Sequence, residues 1–494
     1  MRETLIARRI TVIWIATVWT LFALLTAVGL IMRLNQGNVV SVPDGLFYQL
    51  MSFHGLGMAG TFFVAAMAAM WYLLRKYVPL SIGLMGFIVF ATVVGVLGLV
   101  VAFLLGNLAH GWYFLYPLSF YPTGYWPSWS VGLWIISVLI LGAAWLLFFL
   151  DVLRANATRY GAGRILGWHY IAGAKEPDVP PIVIAGSMVG IDGVISIVAG
   201  LLILVPMLLE WAGTGVKSDP LMAKNMIFMF GHTLVNLVIY MVLGAIYDVL
   251  PHFTNRPWKS NRVFAIAWNA TLLVVLLAMP HHLYMDFVQP LALQYIGQFG
   301  SFFATVPATA VTLLGAFLQV YRSGLRWRLT PALLYLGLFS WIVGGIGAVI
   351  DATVPFNLRL HGTLWVPAHF HTYFLMGVAM IVLGLFYHFA QEFSGLTEES
   401  RYWKLTFFLM AVGGYMFLLG FYVSGMLSVP RRYATYPDLV VEPGVFWSRF
   451  ASVGVVILVL GLVFYLMDAA PRLTQARLYE SDLEVEAGQP GFGA

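Results

Sequence analysis

His361-Gly-Thr-Leu-Trp-Val-Pro-Ala-His-Phe-His-Thr-Tyr-Phe374 places three histidines at the mouth of a strongly apolar run, Ala368 to Phe389. Two of them, His369 and His371, are separated by one residue. A helix turns about 100° per residue, so side chains two apart point to nearly opposite faces. A helix carrying such a pair can offer one imidazole to each of two different partners.

The surroundings of that stretch decide the fold class. Of 494 residues, 61% are hydrophobic and 10% charged, against about 25% charged in a soluble protein. The chain reads as all-α and polytopic, with twelve apolar runs long enough to cross a bilayer. They fall at 10–33, 48–74, 80–105, 130–152, 181–208, 223–250, 263–286, 294–321, 330–352, 367–390, 404–428 and 445–468. Residues 1–472 form one membrane domain and 473–494 a polar cytoplasmic tail. Three arginines precede the first run and no Ala-x-Ala-like cleavage site follows it, so a first helix is expected there rather than a signal peptide.

Charge sets the expected orientation. Of the 26 lysines and arginines, 19 fall on the side of the N-terminus and 7 on the other. The positive-inside rule then puts both termini in the cytoplasm. No basic motif interleaved with aromatics lies outside the apolar runs, so a nucleic-acid partner is not expected and membrane lipid is. With no cysteine in the chain, disulfides, thiolate metal sites and a thiolate-held copper centre are excluded.

In this frame His54, His232, His369 and His371 lie near the outer starts of the second, sixth and tenth runs. His281 and His282 lie near the outer end of the seventh. A lone histidine in hydrocarbon is usually a hydrogen-bonded packing residue. Six at one depth each need a polar or metal partner, and together they form a constellation. His232, His281 and His282 could hold a metal with an open position, and three nitrogen ligands suit copper, iron or zinc. His54 and His371 could ligate one haem from both faces, leaving His369 as the single ligand of a second haem. A bis-histidine haem carries electrons, whereas a singly ligated haem keeps a position open for a small gas.

These residues resemble the haem–copper oxidase superfamily, whose members include oxygen reductases and nitric oxide reductases. The run from His361 to His371 is most similar to the B-type oxygen reductases. That resemblance implies that His369 and His371 bind the high-spin and low-spin haems, that His361 lies near haem propionates, and that Arg431 and Arg432 of Val-Pro-Arg-Arg-Tyr pair with those propionates. It also implies a bacterial or archaeal cell membrane. Arg431 and Arg432 are exceptions on the outer side and need anionic partners.

The departure lies in His232-Thr-Leu-Val-Asn236. B-type oxygen reductases carry a tyrosine four residues after the first metal histidine, and this chain has Asn236. An amide can supply neither the electron nor the proton that a phenol gives when the O–O bond is cleaved. Tyr240 and Tyr247 are too far along the helix axis to take the same place. Loss of the tyrosine resembles the nitric oxide reductases, although a glutamate often stands there in those enzymes. Asn236 can hydrogen-bond bound NO or a metal-bound water. Reduction of NO, 2 NO + 2 e- + 2 H+ to N2O + H2O, needs no tyrosyl radical. It is therefore the expected reaction, with oxygen reduction to water as the alternative and a haem-free transporter as a remote third. Copper and iron both remain open at the three-histidine site.

Expected proton-path positions are Thr233, Tyr240, Tyr247, Thr305, Thr309 and Gln319, and Asp192 is an intramembrane carboxyl with either a functional or a structural role. Trp365 and the aromatics from Trp112 to Trp129 read as an outer aromatic belt. His110, His169, His252 and His388 are assigned no metal. Electrons must come from a partner: a small membrane-anchored subunit carrying a dicopper centre or c-type haem near the second and tenth runs, fed by cytochrome c or a cupredoxin.

Overall fold

The computed structural model describes residues 2–113, 116–121, 124–286, 288–304 and 306–478. Every apolar run becomes a helix long enough to span a bilayer. In chain order these are α1 (Arg2–Gln36), α2 (Asp44–Leu74), α3 (Ile82–Leu105), α4 (Ser128–Tyr160), α5 (Pro181–Trp211) and α6 (Pro220–Thr254). The second half continues with α7 (Arg262–Leu283), α8 (Leu291–Val320), α9 (Leu329–Ala352), α10 (Trp365–Ser394), α11 (Trp403–Met426) and α12 (Asp438–Thr474). The helices begin where the sequence supplies partners for free N–H groups. Ser81 accepts from the Leu84 amide at 3.2 Å, Asp219 from Met222 at 2.6 Å and Asn261 from Phe264 at 2.9 Å. Pro181 and Pro220 occupy first-turn positions, where a missing N–H costs nothing.

The hydrocarbon environment requires these helices to satisfy their own backbones, and their side chains then sort by depth in the bundle. In α10, 89% of the most apolar window is buried, against 24% in α8. The stretch with the paired histidines is therefore central, and α8 is peripheral. Exposed Phe90, Leu97, Phe299 and Phe303 face outward from such peripheral surfaces, as expected where lipid replaces water. The Arg9 guanidinium donates to the Leu478 carbonyl at 2.8 and 3.0 Å. The start of α1 and the segment after α12 thus lie at one end, as twelve crossings require. The final helix runs two residues past the expected boundary at 472, and most of the expected tail, 479–494, lies outside the described residues.

Three local features depart from regular helix periodicity or from what composition suggests. His281 and His282 do not sit on an α-helix about 100° apart. The α-helical part of α7 stops at Ala278, and Met279–Leu283 forms a 3-10 turn. Pro280 lacks an amide to continue the ladder, and the tighter turn carries both imidazoles inward. The helix α10 is not uniform either: it is α-helical at Trp365–His371, π-helical at Thr372–Ala379 and α-helical again at Met380–Ser394. Trp112 and Trp365 pack against neighbouring helices. A Cβ on Gly55 would lie 2.6 Å from the Trp112 side chain, and Trp365 packs edge-on to Tyr422 with centroids 4.7 Å apart.

Candidate haem and metal centre

The three-histidine cluster forms where α6 meets the 3-10 end of α7. The ligating atoms of His232, His281 and His282 all lie within 4.8 Å of one another. Nδ1 of His232 is 3.2 Å from Nε2 of His282, which is 3.0 Å from Nε2 of His281. Nitrogens on a common ion with bonds of about 2.0–2.1 Å stand roughly 3 Å apart, so this set fits one metal. Two of the remaining nitrogens are anchored: Nε2 of His232 meets the Val275 carbonyl at 2.9 Å, and Nδ1 of His281 meets the Ser301 hydroxyl at 2.8 Å. Such outer bonds fix tautomer and ring orientation. Phe228 stacks on His282 at 5.2 Å and 11°.

His54 and His371 face each other across the bundle from α2 and α10. Nδ1 of His54 bonds the Leu25 carbonyl at 2.8 Å, and Nδ1 of His371 bonds the Pro367 carbonyl at 2.7 Å. Each ring thereby keeps Nε2 for a ligand. The ring centroids are 6.5 Å apart at 22°. Two metal–nitrogen bonds of about 2.0 Å, with about 1.1 Å from each nitrogen to its ring centre, would require roughly 6.2 Å. The pair fits a haem between them.

His369 points elsewhere, as its spacing from His371 predicts. It lines a cavity of about 310 Å³ that also takes in His232, His281 and His282. Its Nδ1 has no hydrogen-bond partner among the described residues, and a Cβ on Gly347 would lie 2.7 Å from that atom. Asn236, Tyr240 and Thr309 line the same cavity. The Asn236 amide donates to the His232 carbonyl at 2.7 Å, which holds it one turn from the metal ligand on the same helix.

The rim of the cavity is built by two loops. Thr363 and Pro430 form an antiparallel bridge, with Leu364 N to Val429 O at 2.9 Å and Arg431 N to Gly362 O at 3.0 Å. The bridge brings His361 beside Arg431 and Arg432, and all three line the cavity. Burial, then the two guanidinium charges, push the His361 imidazole down to about 4, so it is a neutral donor. Burial and Arg432 lower Arg431 to about 10, which leaves it charged at neutral pH. Arg432 adopts a left-handed backbone (φ 68°), donates to the Tyr113 hydroxyl at 2.5 Å and lies over its ring. Among the described residues neither guanidinium forms an ion pair. Two half-buried cations beside a neutral imidazole are suited to carboxylates of a bound group, such as haem propionates.

Not every expected residue reaches the cavity. Tyr247 is buried but bonds Thr312 at 2.6 Å, away from the lining. Gln319 bonds Thr254 at 2.5 Å deeper still. Thr233 bonds carbonyls of its own helix, Met229 and Phe230. Thr305 lies outside the described residues. His110 is a packing residue, 2.9 Å from the Ser119 hydroxyl and edge-on to Trp134. Sequence reasoning missed Asp351, Tyr373, Trp112 and Tyr113, which all line the cavity. Asp351 Oδ2 lies 3.8 Å from His369 Nε2, and the Tyr373 ring is 5.0 Å from the His369 ring. Asp351 carried a readable signal, a carboxyl near the end of an apolar run; Tyr373, among many aromatics, carried none.

Comparisons with known proteins show the family and the fold. The family described as "Cytochrome C and Quinol oxidase polypeptide I" matches residues 9–463. A Synechocystis protein named cytochrome c oxidase subunit 1 is 24% identical over 423 residues, covering 81% of this chain and 72% of its own. A Bradyrhizobium diazoefficiens protein named "Alternative cytochrome c oxidase subunit 1" is 28% identical over 256 residues, 49% of this chain. The matches span 36% and 41% of the length of two Bradyrhizobium relatives. A solved haem–copper terminal oxidase dimer superposes with a TM-score of 0.77 at 19% identity, covering 96% of this chain and 86% of that one. That likeness establishes the fold.

Proposed function

We propose that this chain, which belongs to the cytochrome c and quinol oxidase polypeptide I family, is the catalytic subunit of a membrane reductase whose substrate is nitric oxide. His54 and His371 would hold an electron-carrying haem, His369 a second haem, and His232, His281 and His282 a copper or iron ion. Those groups supply electrons and open coordination positions when bound. The residues of the chain do the rest. Carbonyls at Leu25 and Pro367 fix two of the imidazoles, and Arg431, Arg432 and His361 receive the anionic edge of the haems. Phe370, between His369 and His371, stacks on Phe374 at 4.6 Å and sits between the two haem sites. Tyr240 and Thr309 offer hydroxyls along which protons reach the cavity.

Asn236 carries the choice of gas. It lines the cavity one turn after His232, at the position where an oxygen reductase of this kind needs a phenol. Its donated amide proton is committed to the His232 carbonyl, which leaves the amide oxygen and second N–H for the cavity. Coupling two NO molecules needs only two electrons, two protons and neutral hydrogen-bonding groups. The purified, reduced enzyme should convert NO to N2O at one N2O per two NO consumed; O2 uptake with no N2O from NO would overturn the reading.

Oxygen reduction is the second reading, favoured by the names of the relatives and by one observation. Tyr373 lines the cavity beside His369 and offers a phenol from α10 instead of α6. Tyr373→Phe separates the two, since it abolishes O2 reduction only if that phenol supplies the electron and proton. On either reading electrons come from a partner, because a cysteine-free chain holds neither a dicopper centre nor a thioether-linked haem. The partner is a small membrane-anchored subunit on the outer face, fed by cytochrome c or a cupredoxin, and both termini of this chain are cytoplasmic.

A further inference from the structure

We propose that Asp192, a carboxyl in the first half of α5, is a proton-holding group that serves the reaction cavity through Tyr240; the proposal rests on the reading that the cavity reduces a gas and consumes protons. Asp192 is 1% exposed, and neither of its carboxyl oxygens has a hydrogen-bond partner among the described residues. A carboxyl retained only for packing would take such partners, since buried polar groups are almost always paired. Ionising one without them inside hydrocarbon is costly. The group is thus a place to keep a proton that a neighbour can remove.

The register of α5 against α6 says where that proton would go. Ser196 donates to the Phe230 carbonyl at 3.1 Å, while a Cβ on Gly244 would lie 3.5 Å from Ala185 and 3.7 Å from Ile182. The two helices are therefore antiparallel neighbours. Counting four residues back from Ser196 and four on from Phe230 sets Asp192 opposite residue 234. Counting seven on from Ala185 and seven back from Gly244 sets it opposite residue 237. Residues seven apart share a helix face, so Asp192 is directed toward α6 as Ala185 is. It stands level with Asn236, about one turn beyond the metal-site His232.

Tyr240 completes the link. It lies on the same face of α6 as Asn236, one turn farther on and so about one turn from the level of Asp192, and it lines the cavity. In one transfer the phenol proton of Tyr240 moves into the cavity and the carboxyl proton of Asp192 replaces it. The carboxylate then regains a proton from the inner end of α5. There Asn156 donates to the Ser187 hydroxyl at 2.9 Å and keeps an unpartnered side-chain oxygen. One proton enters and one leaves, with no change of oxidation state.

The test is light-induced infrared difference spectroscopy on the reduced, CO-bound holoenzyme, together with turnover. Photolysis should produce a protonated-carboxyl C=O band that shifts in D2O and is absent in Asp192→Asn. Turnover of Asp192→Asn should fall at least about a hundredfold, the usual contribution of a positioned proton donor. Asp192→Glu should restore most of it, and haem absorbance and CO rebinding should be unchanged. Turnover within twofold of the wild type, or a band that persists in Asp192→Asn, would overturn the proposal. If Asp192→Asn fails to take up haem, Tyr240→Phe replaces it: the band must move there, and an unmoved band also overturns the proposal. If the wild type reduces neither gas, the reading of the cavity fails separately, and the infrared band still decides the role of Asp192.

Discussion

Gly29→Ala should damage the electron-carrying haem site while leaving the bundle intact. In an ordinary helix this change is favourable by about 1 kcal/mol. Here the added Cβ would lie 2.8 Å from His54 Cε1 and 3.3 Å from Nδ1. Carbon atoms in comfortable contact are about 3.5–4.0 Å apart, so the ring must retreat by roughly 0.7 Å. That displacement stretches the 2.8 Å bond to the Leu25 carbonyl to about 3.5 Å, beyond hydrogen-bond range. Losing the bond costs about 1 kcal/mol, near a fivefold shift away from axial ligation, before any misalignment of Nε2 is counted. Electron paramagnetic resonance of the oxidised protein should show the low-spin signal reduced and a new high-spin component. Total haem by pyridine haemochrome should stay near two per chain. Gly347→Ala is the matched control: its Cβ would meet His369 Nδ1 at 2.7 Å, so it should weaken CO binding and spare the low-spin signal. An unaltered low-spin signal in Gly29→Ala would refute the assignment of His54 as an axial ligand held by α1.

Three further outcomes follow from the same geometry. His282→Ala removes one of three metal nitrogens, and metal analysis should find the non-haem ion lost while the low-spin haem spectrum is kept. Asn236→Ala should lower NO turnover about tenfold, the loss of one hydrogen bond to a reacting group, with little change in haem content. Arg431→Leu removes a half-buried cation from the rim; redox titration should show a lower haem midpoint potential, because the propionate charge is then uncompensated.

The path from sequence to site succeeded where physics leaves few choices. Bilayer thickness dictates helix length, so twelve apolar runs were readable, with ends that fall within eight residues of the true ones, some short of them and some beyond. An imidazole in hydrocarbon needs a partner, so six histidines at one depth marked out the candidate centre, and the one-residue gap between His369 and His371 directs their rings to different sides of α10, one toward the cavity and one toward His54. What was not readable depended on local backbone changes. The 3-10 turn that brings His281 and His282 together follows from Pro280 and the contacts of α8, not from helical periodicity. Trp112 looked like an interfacial residue because composition cannot say which way a loop folds. It turns inward against Gly55 and Phe370. Tyr247 shared a helix with the metal site, yet its hydroxyl is committed to Thr312. Asp351 was overlooked because no spacing ties it to the histidines, although folding places it 3.8 Å from one of them.

The most direct measurement is anaerobic NO consumption with simultaneous N2O detection by membrane-inlet mass spectrometry, on the purified enzyme reduced by an artificial donor. One N2O should appear for every two NO consumed, at a rate that falls in both Asn236→Ala and His282→Ala. Absence of N2O from an enzyme that carries both haems and the non-haem metal, with O2 reduced rapidly to water, would contradict it.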